Sequence, residues 1–304
     1  MESKPKLYLF YTSFFSKKAL MFLNEKEIEF DTQIISMPAE ENQSPWYLAI
    51  SPKGEVPALR HGQNVIPDSD VILKYIEKNN LGKKSLYPTD PSENKMHDIW
   101  MSKLVSVPIE KLTYGLAYLP HLMQNKKAMW GGRMAPMMRS HHDTRSAILR
   151  QKAAENAGTP AEAVLLAKAA HHDKELPLFR SEENYKRMLK ELDEMMDAVE
   201  VELGKHTWLV GNDFTAADCI LAITMDRLHF IGHDNYLFND SRPLVKNYWD
   251  ALQSRDSFVK STYMPNMPLY MIKEGIKKKI PTILKYAVLP LTAAFAYYAY
   301  HNMM

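Results

Sequence analysis

The sequence predicts an α/β domain at the N-terminus followed by an all-α domain, and two patterns carry that reading. Up to residue 80, short apolar runs alternate with helix-spaced segments in the order strand, helix, strand, strand, strand, helix. Beyond residue 91, apolar side chains recur every three or four positions over long stretches. With 304 residues, 38 basic and 36 acidic, the chain is long enough for two domains with cores of their own. A net charge of +2 gives no general attraction to nucleic acid. Cys219 is the single cysteine, which excludes an internal disulfide, disfavours a cysteine zinc site and points to a reducing compartment. The opening "MESKPKLYLF" offers no apolar stretch long enough for a signal peptide, so the domains are expected to face the cytosol.

Taken in order, Lys6 to Phe10 is an unalternating apolar run, which suits a strand buried on both faces. A helix capped by Ser16 follows, with Ala19, Leu20, Phe22 and Leu23 as its buried side. Ile28 to Ile35 reads as a second strand, and strand, helix, strand in so short a span imply a right-handed parallel crossover. A polar loop over Met37 to Ser51 leads to a hairpin, Val56 to Arg60 and Asn64 to Ile66, turning at His61-Gly62. Val71, Ile72, Tyr75 and Ile76 mark the next helix. Together βαβ and ββα make the thioredoxin-like arrangement.

Within that arrangement Pro57 is expected to be preceded by a cis peptide, since only X-Pro bonds adopt cis at small cost. The backbone N–H and C=O of Val56 would then face outward, where an extended peptide can pair with them. At the start of the following helix, Asp68 and Ser69 could cap it or hold a carboxylate at its positive end. "GEVPAL" followed by Asp68-Ser69 resembles the glutathione-binding half of glutathione transferases, over residues 6 to about 79. The resemblance implies that Val56-Pro57 pairs with the cysteinyl part of glutathione and that Ser69 binds the γ-glutamyl carboxylate. Asp68 stands where most of that family has Glu or Gln. For the hydroxyl that would stabilise the glutathione thiolate, "FYTSFFSKKAL" offers Tyr11, like the tyrosine of several transferase classes, and Ser13, like the serine of the zeta and theta classes. Phe15 takes the place of the omega-class cysteine, which excludes disulfide-reductase chemistry there. Phe14 and Phe15 are expected to pack the first helix against the rest.

A linker over 81–91, where the Pro-rich run "LYPTDPSENK" of residues 86–95 begins, leads into an all-α domain over 92–268. Trp100, Leu104, Val107 and Leu112 fit one first helix, and the series from Tyr185 to Leu203 fits another. "WLVGNDFTAADCILAITMDRL" contains a capping box, Thr215 and Asp218, and it too resembles the transferases, where this box nucleates the central helix. Thr215 and Asp218 are therefore structural, and Cys219 beside them is expected to be a buried, unreactive thiol. Between these helices lies an insertion over about 121–180, with an alanine-rich helical stretch and two "HHD" triplets at His141-His142-Asp143 and His171-His172-Asp173. Adjacent histidines project in different directions from a helix, so they are expected to be solvated or partner-facing, with no metal bound. Met129, Met134, Met137 and Met138 add adaptable apolar surface.

The last segment is basic over 269–279, with Lys273, Lys277, Lys278 and Lys279, and then nearly all apolar over 280–300. As a helix those 21 residues span about 30 Å, the thickness of a bilayer core, so a transmembrane tail anchor is expected. Two transferase-like domains, the insertion and a basic-flanked anchor together resemble the ganglioside-induced differentiation-associated protein family. "GEVPAL", and "WLVGNDFTAAD" followed by "DRLHFIG", carry the match. That resemblance implies residence in the mitochondrial outer membrane and partly in peroxisomes, with roles in fission, network shape and redox balance. It also implies glutathione as ligand or cosubstrate, a homodimer, and cytoskeletal or organelle-contact partners reached through the insertion. An adaptor or sensor and an active transferase are both compatible with it.

Overall fold

The computed structural model describes residues 4–128 and 134–263. In the N-terminal domain β1 (Lys6–Leu9) is followed by α1 (Phe14–Glu25) and β2 (Asp31–Ile34), and then by α2 (Pro45–Leu48). The hairpin β3 (Ala58–His61) and β4 (Asn64–Pro67) then leads to α3 (Ser69–Lys78). The sheet runs β2-β1-β3-β4, with β1 and β2 parallel and the other pairs antiparallel. Successive β1 side chains point to opposite faces. Leu7 and Leu9 enter the large core shared with the helical domain, whereas Tyr8 and Phe10 enter a smaller one with Tyr47, Val56 and Ala58. Both faces of β1 are thus covered, which is why the run does not alternate.

Several boundaries differ from expectation. β2 spans Asp31–Ile34 rather than Ile28 to Ile35. Ser13 caps α1, its hydroxyl accepting from Ser16 N–H at 3.2 Å, while the Ser16 hydroxyl accepts from Phe10 N–H instead. The polar loop contains α2 and two short 3-10 turns. Val56 lies before β3, because Pro57 lacks the N–H that would extend the ladder.

The helical domain comprises α4 (Pro91–Val105), α5 (Ile109–Tyr118), α6 (Met134–Glu155), α7 (Pro160–Arg180), α8 (Glu182–Leu203) and α9 (Ala216–Phe230). It ends with α10 (Asp234–Leu237), α11 (Pro243–Gln253) and α12 (Asp256–Thr262). The expected first helix is divided into α4 and α5 at Pro108, which cannot donate the intervening helical bond. The alanine-rich insertion folds back on itself as the α6–α7 hairpin against α5. At α9 the Asp218 carboxylate accepts from Thr215 N–H and from the Thr215 hydroxyl, both at 2.9 Å. The Thr215–Asp218 capping box therefore forms as read from sequence. Cys219 is fully buried behind it, and burial pushes its thiol well up. Among the described residues no helix is long and apolar enough to cross a membrane; the expected span at 280–300 lies outside them.

The two domains are joined through α1. Lys17 pairs with Asp226 of α9 at 2.7 Å, and the Glu25 carboxylate accepts from Arg255, Lys84 and Ser257. Burial alone would push the Glu25 carboxyl up, but these donors hold it below its ordinary value.

Candidate functional site

The candidate residues gather where β1 ends. Ser13, at the N-terminus of α1, donates its N–H to Phe10 C=O at 2.9 Å. Phe10 in turn packs in the small core with Val56. The Val56–Pro57 peptide is cis. Pro57 C=O accepts from Asp68 N–H at 3.2 Å, which sets Val56-Pro57 beside the start of α3. Helices α1 and α3 are joined across the same region by Lys18 and Asp70, 2.7 Å apart. Three segments far apart in sequence thus surround one site.

Around Val56 the backbone is held from behind. Glu55 C=O accepts from the Tyr47 hydroxyl at 2.8 Å and the Ser51 hydroxyl at 3.0 Å, and Gly54 C=O accepts from the Asn42 amide at 2.8 Å. Gly54 has φ +58, and a Cβ there would stand 2.5 Å from Asn42 O, so only glycine fits this turn. Among the described residues the N–H and C=O of Val56 take part in no hydrogen bond. The loop is a prepared edge, able to receive an extended peptide.

At α3, Asp68 is the N-cap: its carboxylate accepts from Asp70 N–H at 2.7 Å and Val71 N–H at 3.3 Å. That occupies the carboxylate with capping, and Asp68 can offer a ligand only its remaining oxygen and its backbone. Ser69 is different. Its side chain is buried and its hydroxyl has no partner among the described residues. A buried donor without an acceptor at the positive end of a helix is suited to an anion.

Of the two candidate hydroxyls for thiolate stabilisation, Ser13 is fixed by its capping bond, which uses the oxygen as acceptor and leaves the proton to donate. The ring of Tyr11 packs against the large core. Sequence reasoning missed what fixes this loop: the Arg227 guanidinium of α9 donates to Thr12 C=O at 2.6 Å. No local pattern signals a contact between residues 215 positions apart. Phe14 and Asp70, which follow Ser13 and Ser69 in the chain, line a cavity of about 150 Å³ together with Phe15, Lys18, Leu104, Val105, the run Val107 to Lys111 and Ile220. Phe14 and Phe15 meet edge to face, 5.3 Å apart, and line this space as well as packing α1.

The histidines correct an expectation. His142 and His172 are buried and stack with ring centroids 5.3 Å apart, whereas His141 is half-buried, its ring edge-on to His142 at 5.7 Å, and His171 is exposed. Two adjacent histidines on each helix do diverge, but one of each pair turns into the hairpin interface. Among the described residues no group of three or more potential ligands is placed to hold a metal ion.

Comparison with known proteins agrees with this arrangement. Residues 12–79 match the family model described as "Glutathione S-transferase, N-terminal domain", and residues 146–256 match "Glutathione S-transferase, C-terminal domain". This is a glutathione S-transferase-like chain. The C-terminal match begins inside the insertion, within α6. The chain is similar to human ganglioside-induced differentiation-associated protein 1-like 1, 28% identical over 274 residues, which are 84% of this chain and 72% of the relative. It is also similar to tetrachloro-P-hydroquinone reductive dehalogenase of Sphingobium chlorophenolicum, 23% identical over 266 residues, 86% of this chain and 96% of that one. A solved glutathione S-transferase-I bound with lactoylglutathione superposes with a TM-score of 0.57 at 21% identity, covering 86% of this chain and 99% of its own. At that identity the likeness shows the shared fold.

Proposed function

We propose that this chain is a glutathione-binding protein anchored in the outer mitochondrial membrane, where it acts as an adaptor or sensor in mitochondrial dynamics and redox balance. The observation that carries glutathione binding is the unpartnered Ser69 hydroxyl at the N-terminus of α3, beside the open backbone of Val56. One end of a γ-glutamyl peptide would place its carboxylate at Ser69 while its cysteinyl backbone pairs with Val56. A structure of a neighbouring fold carrying lactoylglutathione supports the ligand class. The anchor rests on the apolar run over 280–300 behind Lys277, Lys278 and Lys279, and the organelle on the resemblance to the ganglioside-induced differentiation-associated proteins. Peroxisomal residence, a homodimer, and cytoskeletal or organelle-contact partners reached through the α6–α7 hairpin belong to the same reading.

Calorimetric titration of glutathione into the full chain tests the binding. Micromolar to millimolar affinity is expected, weakened about tenfold or more in Ser69→Ala, because a hydrogen bond to a charged group contributes about 1.5–3 kcal/mol. No heat at high glutathione, or an unchanged affinity in the variant, would remove the site from the account. The anchor has its own test. A fluorescent fusion lacking 280–300 should be diffuse where the full chain rings mitochondria, and persistent ringing would place the targeting elsewhere.

One observation favours a second reading, an active transferase. Ser13 keeps a proton to donate, and the next residue, Phe14, lines a cavity of mixed apolar and charged character that could take part of an electrophile. A thiol held there would ionise more readily, since a donated hydrogen bond stabilises the thiolate.

A further inference from the structure

The insertion reaches the glutathione site itself. Lys168 of α7 extends from the α6–α7 hairpin to the loop preceding Val56, where its Nζ donates to Lys53 C=O at 2.5 Å. The Glu55 carboxylate is 3.7 Å from the same Nζ, outside hydrogen-bond distance, and is largely exposed. An ammonium has three donors, so the bond to Lys53 leaves two for another acceptor. Most of the Lys168 side chain is covered, and burial, helped by Arg145 and opposed by Glu55, pulls its pKa down to about 8.

Direction along the loop decides what that partner is. Pro57, on the C-terminal side of Val56, is bonded to Asp68, so Ser69 lies towards that end. Lys53 to Glu55 lie on the other side of Val56, and Lys168 stands over them. A peptide paired with Val56 whose first carboxylate is at Ser69 must run towards Lys168. An extended tripeptide covers roughly 10 Å, so its second carboxylate would come to rest on that side of Val56.

We propose that Lys168 supplies the cation for the second, glycyl carboxylate of the bound tripeptide, so that the insertion completes the ligand site as well as adding surface. This rests on the glutathione reading above. The groups around Lys168 are mixed, with Arg145 adding positive and Glu55 and Glu110 negative charge, and the arriving carboxylate would displace the weak approach of Glu55. Selectivity for tripeptides with a free C-terminal carboxylate follows. Occupancy of the site would also hold the α6–α7 hairpin onto the N-terminal domain.

The experiment compares glutathione with its glycyl monoethyl ester, which lacks only the second charge, by titration into the full chain, Lys168→Met and Ser69→Ala. The wild type should bind glutathione about tenfold tighter than the ester, the effect of one charge-assisted bond. Lys168→Met should bind both equally, with an unchanged circular dichroism spectrum and cooperative melting to show that the fold is intact despite the lost bond to Lys53. Ser69→Ala should weaken both ligands and keep the preference. Equal binding of the two ligands by the wild type, or a preference that survives in Lys168→Met, overturns the proposal while leaving glutathione binding in place. No binding of either ligand by the wild type overturns the underlying reading, and this assignment with it.

Discussion

Asp218→Ala is expected to destabilise the protein by roughly 3–5 kcal/mol, because several buried donors lose one acceptor together. The Asp218 carboxylate accepts from Leu209 N–H at 2.8 Å, from Thr215 N–H and the Thr215 hydroxyl at 2.9 Å, and from the Tyr248 hydroxyl at 3.1 Å. These donors come from the "WLVG" turn, the start of α9 and α11, so one side chain ties three segments of the helical domain. Alanine leaves two N–H groups without partners where water does not reach. Thr215→Ala removes one donor and keeps the rest, and should cost about 1 kcal/mol. Urea denaturation followed by circular dichroism measures both. A loss below about 1 kcal/mol for Asp218→Ala would mean that the network is not cooperative.

Acid should release the α6–α7 hairpin before the rest of the protein unfolds. The His142 ring lies between Tyr114 at 4.3 Å, His172 at 5.3 Å and Phe179 at 5.5 Å, and neither of its nitrogens has a partner among the described residues. Burial, helped by His141, His172 and Arg145 and opposed by Asp143, pulls its pKa down to about 3 from the usual 6.5. His172 is lowered by burial too. With the folded value below the unfolded one, the unfolded chain takes up the proton first. The stability contributed is therefore full above pH 6.5 and declines as pH falls towards 3. Each unit costs about 1.4 kcal/mol, so His142 alone should cost roughly 2 kcal/mol at pH 5. Amide hydrogen exchange over 134–180 should quicken between pH 7 and pH 5, after correction for intrinsic rates. In His142→Phe, which keeps an aromatic ring in the gap, that dependence should flatten. Protection unchanged at pH 5, or the same dependence in the variant, would contradict the role given to this ring.

Much of this was legible where a pattern is short-range. β1 reads as doubly buried because each of its faces meets a core of its own, and α8 reads as amphipathic because Tyr185, Met188, Leu189, Leu192 and Met196 fall on one buried side. The capping box was legible for the same reason, since its partners are three residues apart. The cap of α1 was not, because Ser13 and Ser16 are both well placed and both hydroxyls are used, one for the helix and one for β1. Helical periodicity separates His141 from His142 but does not say which face will be covered, so the stacked pair with His172 emerges only when α6 and α7 are brought together. The site itself was half visible. Val56, Pro57 and Ser69 follow from one domain's motifs, whereas Arg227 on Thr12 and Lys168 on Lys53 depend on how distant helices return to that domain.

The measurement that tests the central claim most directly is a crystal structure of the full chain with glutathione. The account predicts the γ-glutamyl carboxylate within hydrogen-bond distance of the Ser69 hydroxyl, the cysteinyl backbone paired with Val56, and the sulfur nearer the Ser13 hydroxyl than that of Tyr11. Glutathione bound elsewhere, or seated in this cleft with Ser69 still unpartnered, would contradict it.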